Sequence, residues 1–309
     1  MQPKSITSQQ YCSVNSRQMS EPLMASAPRT DYWVLLEYPH PLSAKALKQN
    51  QLPDEVNNYL AALQDALPES RVLLTRKKSS KPGSSPSLVL ADGREGRAVL
   101  YKMYINSYMD LLEVDIPAIF IGSVQAPAAI EKEPIFLVCT NGKRDACCSK
   151  WGLPLFNSLV KRYGDLVWQT SHVGGHRFAP NLICLPYGIY YGRVPLEKAS
   201  WITDLYIDGR LTLDYYRGRA VYPAPVQAAE HFLRLETGED IIGAYHLKAF
   251  SSHAEDQWEV SFSGTQDNTV YEVQIKSSLT GAEIFESCNA SSERKPVKEF
   301  RLLKPIQAG

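Results

Sequence analysis

The order of apolar segments most constrains the fold of this chain, because the same order occurs twice. In the first occurrence, a short apolar run at 32–38 is followed by residues 54–67, in which apolar side chains recur at helical spacing. A further strand at 71–75 leads to two hairpin arms at 87–91 and 98–105. Strands that alternate with a helix predict an α/β sheet.

The second occurrence lies in the central third of the chain. A strand at 135–138, a helix at 154–163 and a strand at 165–169 precede a hairpin and another helix, at 182–186, 189–194 and 196–208. Pro154 suits the first turn of its helix, and Gly164 suits the position just after the helix end. Strand–helix–strand–hairpin–helix is the thioredoxin-like order. The first occurrence is therefore interpreted as a degenerate thioredoxin-like unit.

Composition divides the chain into four parts. The first thirty residues are rich in Ser and Gln and predict a loosely held arm, the stretch QAPAAIEKEP indicates a boundary, and alternating strands begin near residue 241. The predicted parts are a polar N-terminal arm (1–30), an N-terminal α/β domain (31–130), a thioredoxin-like domain (131–238) and a small antiparallel β appendage (239–309).

Charge and cysteine content narrow the function. Lys+Arg and Asp+Glu are each 33, so no long-range attraction to nucleic acid or anionic lipid is expected. The apolar runs are too short for a signal peptide or a membrane span, which predicts a cytoplasmic protein. Six cysteines are too few for a disulfide scaffold, and clustered cysteines in a reducing compartment are typically metal ligands or redox thiols.

Two cysteines and two histidines form the pattern that carries chemistry. Cys139 and Cys148 lie in CTNGKRDACC, and His172 and His176 lie in SHVGGH, each pair following a predicted strand. The ends of strands are where an α/β sheet presents ligands. A [2Fe–2S] core needs four donor atoms, which two thiolates and two imidazoles can supply. The two glycines between the histidines would let the backbone pass close to an inorganic core.

Charge arithmetic favours a redox role. Two ferric ions, two sulfides and two thiolates sum to zero when the histidines are neutral, so an added electron is accepted more easily than at an all-cysteine site. The second ring nitrogen of a ligating histidine can take up a proton on reduction, which predicts proton-coupled one-electron chemistry. Lys143, Arg144, Arg177 and the N-terminus of the 154–163 helix would stabilise the reduced form.

The motifs CTNGKRDACC, SHVGGHRFAPN, LPYGIYYGRV and DYYRGRAVYPAPVQAAEHFLR resemble the sucrase/ferredoxin-like family, over roughly residues 12–235. The resemblance implies a thioredoxin-like ferredoxin whose [2Fe–2S] cluster has two cysteines on one iron and two histidines on the other. The matching positions are Cys139, Cys148, His172 and His176. Cys147 adjoins Cys148, so the second ligand is ambiguous by one residue, and the distance from the Arg144–Asp145 pair favours Cys148. An unidentified redox partner protein is implied.

Other functions fit less well. A structural zinc site of two cysteines and two histidines, or an interaction module, is the main alternative, although eight intervening residues exceed the usual spacing of zinc-binding cysteines. A thiol–disulfide oxidoreductase would need Cys-x-x-Cys, and neither a hydrolase signature nor a Rossmann glycine motif is present. Substrate-level catalysis is therefore less expected than electron transfer. Cys184 is interpreted as an inert core thiol, and Cys12 and Cys288 have no predicted role.

Overall fold

The computed structural model describes residues 11–290 and 293–309 and has a mixed α/β architecture. Its six α-helices within those residues are α1 (Cys12–Gln18), α2 (Asp54–Ala66), α3 (Ile116–Ile121), α4 (Ala146–Tyr163), α5 (Leu196–Ile207) and α6 (Ala224–Thr237). Its strands are β1 (Tyr32–Glu37), β2 (Ser70–Arg76), β3 (Ser87–Asp92), β4 (Val99–Tyr104), β5 (Ala129–Glu131), β6 (Ile135–Cys139), β7 (Val167–Thr170), β8 (Leu182–Leu185), β9 (Ile189–Tyr191), β10 (Tyr216–Arg219), β11 (Tyr245–Ala254), β12 (Gln257–Gly264), β13 (Val270–Phe285), β14 (Arg294–Leu302) and β15 (Gln307–Ala308).

Strands β1 to β10 form one large sheet in the order β10-β9-β8-β6-β7-β2-β1-β3-β4-β5. Its two halves pair alike: β1 runs parallel to β2 and antiparallel to β3, which pairs with β4, and β6 pairs in the same way with β7 and β8, which pairs with β9. The halves join where β2 and β7 run antiparallel. The repeated order seen in the sequence is thus visible in the strand pairing. The thioredoxin-like nature of each unit stays a proposal.

Both faces of the central part of the large sheet are buried, so strands such as β1, β6 and β8 are nearly continuous apolar runs. Successive residues of β1 show this, because Leu36 packs in the cluster that includes α2 whereas Leu35 packs in a cluster on the other face. In the second half, Phe136 and Val138 of β6 pack with residues of α4 and α5 such as Leu155. The site-bearing strands are therefore rigidly held by packing on both sides.

Helix α4 begins earlier than the sequence predicts. The Asp145 side chain caps it by accepting a hydrogen bond from the Cys147 backbone N–H at 2.9 Å, and the helix then runs from Ala146. Pro154 lies inside the helix, not in its first turn. Pro154 and Lys150, whose carbonyl the proline leaves without an N–H partner in the helix, are both exposed residues. Cys147 and Cys148 consequently occupy the first helical turn, where the sequence predicts a loop.

The N-terminal arm is packed from residue 11 onwards, and the expectation of a loosely held segment is wrong there. Ser16, in α1, donates a hydrogen bond to Glu21 at 2.5 Å and accepts one from Arg193 at 2.7 Å. Glu21 also pairs with Arg177 at 2.6 Å. A polar segment can be buried when its side chains find such partners. Residues 1–10 of the predicted arm lie outside the described residues.

The C-terminal strands form the predicted separate antiparallel sheet, in which β11, β12, β13 and β14 pair in sequence and β15 pairs with β13. Helix α6 packs against this sheet through residues that include Val226 and Leu233. Strand β13 is 16 residues long and ends at Phe285 beside α1, where Asn15 accepts a hydrogen bond from the Phe285 backbone at 2.8 Å. The predicted four-part division stays a prediction. Among the described helices, none combines the length and apolarity needed to cross a bilayer.

Candidate metal centre

Three of the four predicted ligands converge at one edge of the large sheet. Cys139 ends β6 opposite Thr170 of the parallel strand β7, and His172 follows two residues later. Cys148 approaches from the first turn of α4. The two Sγ atoms and one ring nitrogen of His172 all lie within 4.8 Å of one another, and Cys148 Sγ is 3.8 Å from His172 Nδ1. Two softer sulfur donors and an imidazole thus face a common point.

The two thiols of this group shift each other's pKa values in opposite directions. Cys139 and Cys148 are each 1% exposed. A hydrogen bond from the Cys148 thiol lowers the pKa of Cys139 well below its usual range, although burial opposes this shift. The same bond raises the pKa of Cys148, and burial adds to that rise. One sulfur is therefore ready to bind a metal as a thiolate, and metal binding would release the proton of the other.

Close contact between α4 and β6 keeps these sulfurs together. Gly152, in the second turn of α4, faces the backbone carbonyl of Cys139, and a side chain at this position would overlap that carbonyl oxygen. Only glycine allows the helix to lie this close to the strand. The approach sets the separation of Cys139 and Cys148.

His176, the fourth predicted ligand, lies beside this compact group but outside it. Its ring centroid is 5.1 Å from that of His172. Its Nε2 donates to the Glu286 carbonyl at 2.6 Å and lies 3.7 Å from Asp145 Oδ2. Burial lowers the pKa of His176, opposed by the nearby Asp145 carboxylate, so the ring is neutral with its proton on Nε2.

The remaining ring nitrogen of His176 carries a free lone pair. Nδ1 is buried and has no hydrogen-bond partner among the described residues. A buried acceptor without a partner is costly, and a metal would satisfy it. Two thiols, one imidazole and this unpartnered nitrogen therefore fit the donor set of a [2Fe–2S] cluster, in which the ligands are divided between two irons.

The glycines between the histidines have a different role from the predicted one. Gly174 and Gly175 both adopt left-handed backbone conformations, with φ of 88° and 70°. A side chain at Gly174 would meet Pro28, and one at Gly175 would overlap the guanidinium of Arg217. The two glycines thus allow the loop to pack closely against Pro28 and Arg217. This packing explains the glycines without the predicted need to make room for an inorganic core.

A second group of donors adjoins the first. Cys12, Asp145, Cys147 and Cys288 each place one ligand atom within 4.8 Å of the others. The doubled cysteine is thus divided: Cys148 faces Cys139 and His172, whereas Cys147 faces Cys12 and Cys288. The pKa of Cys147 is lowered to about 4, chiefly by a hydrogen bond from Cys12 and next by one from Cys288. The bond between Cys12 and Cys147 raises the pKa of Cys12.

Sequence reasoning missed Cys12 and Cys288 because no local signal links them to Cys147. The sequence offered one hint, which is that Cys147 and Cys148 are adjacent although the first group uses only one of them. Cys184 is buried in β8, and burial raises the pKa of its thiol, as suits a core residue.

The cationic residues near the site have unequal surroundings. Arg177 pairs with Glu21 at 2.6 Å, so its charge is offset. Lys143 and Arg144 are exposed. Arg144 and the half-buried His172 line a surface cleft of about 300 Å³, together with Ala44, Lys45, Ala46, Leu47, Lys48, Val72, Asn141 and Ser171. Among the residues that the structure describes, the lining of this cleft beside His172 thus includes three cationic side chains and no carboxylate.

Comparisons with known proteins agree with the motifs. The chain is similar to altered inheritance of mitochondria protein 32 of Debaryomyces hansenii, 36% identical over 95 residues covering 27% of this chain and 35% of that protein. The protein of that name from Meyerozyma guilliermondii is 32% identical over 102 residues, 28% of this chain and 34% of that protein. The chain spans about a third of the length of the curated relatives it matches. No solved structure matches the chain significantly.

The family model described as sucrase/ferredoxin-like matches residues 23–218, a segment that contains Cys139, Cys148, His172 and His176. The match covers more than half of the 309 residues. The chain therefore belongs to the sucrase/ferredoxin-like family.

Proposed function

We propose that this protein is an electron carrier that holds a [2Fe–2S] cluster through Cys139, Cys148, His172 and His176, in a thioredoxin-like ferredoxin domain. The observation that carries the proposal is the convergence of two buried thiols and one imidazole next to a buried, unpartnered imidazole nitrogen. The cluster, when bound, supplies reversible one-electron chemistry. The two cysteines carry the ligand charge, and their burial excludes water from the sulfurs.

The two histidines would have different roles in proton uptake. His176 Nε2–H is fixed by the Glu286 carbonyl, which can only accept a hydrogen bond. His172 turns Nδ1 toward Cys148 and is half-buried at the cleft. The proton that accompanies the electron would therefore be held at His172 Nε2, and His176 would keep its proton in both redox states.

The cleft supports a docking site for the redox partner. His172 lines it, so the shortest path for an electron to the surface would run through this ligand. Lys45, Lys48 and Arg144 are exposed there. A partner protein with an acidic face would be electrostatically complementary, whereas nucleic acid and membrane are not proposed as partners because the whole chain has no net charge. Because the ligands are free thiols, we propose the reducing cytoplasm as the compartment.

A structural zinc site at the same residues is the second candidate. The observation that favours it is the compactness of Cys139, Cys148 and His172, whose donor atoms could surround a single ion. Against it, His176 lies outside the compact group, which suits ligands that are spread over two metals.

Metal and sulfide analysis separates the two candidates. Protein produced in medium replete in iron and zinc and purified without oxygen should contain about two irons and two acid-labile sulfides per chain. Its visible absorption should bleach on reduction, and iron and sulfide should both be lost in Cys139→Ser. Zinc that disappears in Cys139→Ser, with no sulfide in the native protein, would overturn the iron–sulfur proposal.

A further inference from the structure

We propose that Cys12, Cys147, Cys288 and Asp145 form a second metal site that binds one zinc ion for a structural purpose. The three sulfur atoms form a closed triangle, with Cys12 to Cys147 at 3.5 Å, Cys147 to Cys288 at 3.2 Å and Cys12 to Cys288 at 3.6 Å. The three thiols come from distant parts of the chain and pack in one small cluster with Ala179. They are the donor set that a thiophilic ion selects.

The size of the triangle indicates a single ion. A tetrahedral zinc with sulfur ligands at about 2.3 Å holds neighbouring sulfurs roughly 3.8 Å apart. The observed separations of 3.2 to 3.6 Å lie a little below that value. A disulfide would need a sulfur separation of about 2.05 Å. Ligands on different metals of a cluster would be spread further apart than these three.

Asp145 supplies the fourth ligand. Its carboxylate oxygens lie 3.7 and 3.8 Å from Cys12 Sγ. One oxygen accepts from the Cys147 backbone, and the other accepts from Ser287 Oγ at 3.1 Å and the Cys288 backbone at 2.9 Å. A carboxylate has about four acceptor directions, so one remains for a metal. These hydrogen bonds hold the carboxylate at the triangle and orient it.

The charge of the site is acceptable for zinc. Three thiolates and one carboxylate around a divalent ion give a net charge of −2, the same as in the common zinc sites built from four cysteines. The N-terminus of α4 lies at Cys147, and the Cys12 backbone N–H donates to Cys288 Sγ at 3.4 Å. Both offset negative charge on the sulfurs.

The position of the ion explains its purpose. Cys12 is in α1, Cys147 is in the first turn of α4, and Cys288 follows the end of β13. The ion would tie the N-terminal helix and the C-terminal sheet to the helix that carries Cys148. Because closing such long loops removes much of the freedom of the unfolded chain, the bound ion would stabilise the whole fold. It would also fix the first turn of α4 beside the proposed cluster.

The test counts zinc and iron in the same purified proteins. We expect about one zinc per chain in the native protein, in Cys139→Ser and in Cys184→Ala, whose buried thiol belongs to neither group. Zinc should fall close to zero in Cys12→Ala and Cys288→Ala, with iron and sulfide retained. Titration of native protein with a mercurial, with a zinc-sensitive dye present, should release one zinc per chain, and this measurement does not depend on how the variants fold.

Two results would overturn the second site. One is a native protein that contains iron but no zinc, or whose zinc remains in both Cys12→Ala and Cys288→Ala. The other is a disulfide within the triangle, seen as a loss of two alkylatable thiols in the denatured, unreduced chain. An iron-containing protein without zinc, or a disulfide within the triangle, would leave the iron–sulfur proposal intact. Failure of that proposal would appear as a native protein without sulfide whose zinc is retained in Cys12→Ala and Cys288→Ala and lost in Cys139→Ser.

Discussion

At the scale of single residues, the adjacent cysteines at the start of α4 have separate surroundings. Cys148 Sγ faces His172, and Cys147 Sγ faces Cys12 and Cys288. Their backbone positions differ by one residue, so substitution of either one disturbs the same helical turn. A comparison of the two variants therefore distinguishes ligand chemistry from local folding.

We predict that Cys148→Ser loses the visible absorption and most of the iron, because it removes one of the two thiolates of the proposed cluster. Cys147→Ser should keep iron, sulfide and the spectrum and should lose the zinc of the second site. Iron, sulfide and zinc analysis of both variants, with circular dichroism as the folding control, provides the measurement. Loss of iron in Cys147→Ser with retention in Cys148→Ser would move the ligand by one residue.

The histidines give a second prediction at this scale. If a proton binds His172 on reduction, the midpoint potential should fall as pH rises, with a limiting slope of about 59 mV per unit for one proton per electron. His172→Cys should flatten this profile. His176→Cys should keep it, because His176 Nε2 holds its proton against the Glu286 carbonyl. Both variants should have lower potentials than the native protein, since each adds a thiolate charge.

Midpoint potentials of the three proteins from neutral to alkaline pH make this comparison. A slope that disappears in His176→Cys and remains in His172→Cys would reverse the assignment of the proton. A flat native profile that neither variant changes would mean that these histidines do not ligate the redox centre.

At the scale of secondary structure, the contact of α4 with β6 holds the site together. In Gly152→Ala, the new methyl group would overlap the Cys139 carbonyl, so the helix must move away from the strand. We predict a loss of about 1–3 kcal/mol in the free energy of unfolding, as for overpacked cores. Iron content should also fall, because the movement separates Cys148 from Cys139.

Gly243→Ala is the matched control for this substitution. A methyl group at Gly243 has no atom within 4 Å among the described residues, and the glycine does not need a left-handed conformation. Its effect should stay within about 0.5 kcal/mol. Thermal unfolding and iron analysis of both variants test the contact. Equal stability and equal iron content in Gly152→Ala and Gly243→Ala would contradict the proposed role of Gly152.

Elements of the fold and site were predictable where the sequence signal is local. Strand β6 and its terminal Cys139 follow from a short apolar run, and His172 follows from the next strand in the same way. The start of α4 was misplaced because proline is common in first turns, and Asp145 is the cap that actually begins the helix. The helix N-terminus therefore lies at the cysteine pair and not after it.

Long-range contacts could not be predicted from patterns. Cys12 and Cys147 are 135 residues apart, and Cys147 and Cys288 are 141 apart, so nothing in their local sequence indicates that they meet. The packing of α1 likewise depends on partners from distant segments, such as Arg193. Local hydrophobic periodicity determines elements, whereas these polar contacts depend on the tertiary arrangement of the whole chain.

At the scale of the whole molecule, equal numbers of acidic and basic residues leave no net charge, so only local charge can steer a partner. The cleft beside His172 concentrates Lys45, Lys48 and Arg144. Small redox reagents of opposite charge can report on this local field without knowledge of the natural partner. Salt screens it, since the Debye length falls from about 30 Å at 0.01 M to about 8 Å at 0.15 M.

We predict that the reduced protein is oxidised by ferricyanide, an anion, at a rate that falls as salt is added, and by a cationic ruthenium ammine at a rate that rises. Lys48→Glu and Arg144→Glu should each slow the ferricyanide reaction several-fold at low salt and weaken its salt dependence, because each replaces an attractive charge with a repulsive one. Lys198→Glu, an equally exposed change on α5 outside the cleft, controls for total charge. The measurement is the stopped-flow rate of oxidation at a series of ionic strengths, for the native protein and the three variants. If Lys198→Glu slows the reaction as much as the cleft variants do, electrons do not leave through the cleft at His172.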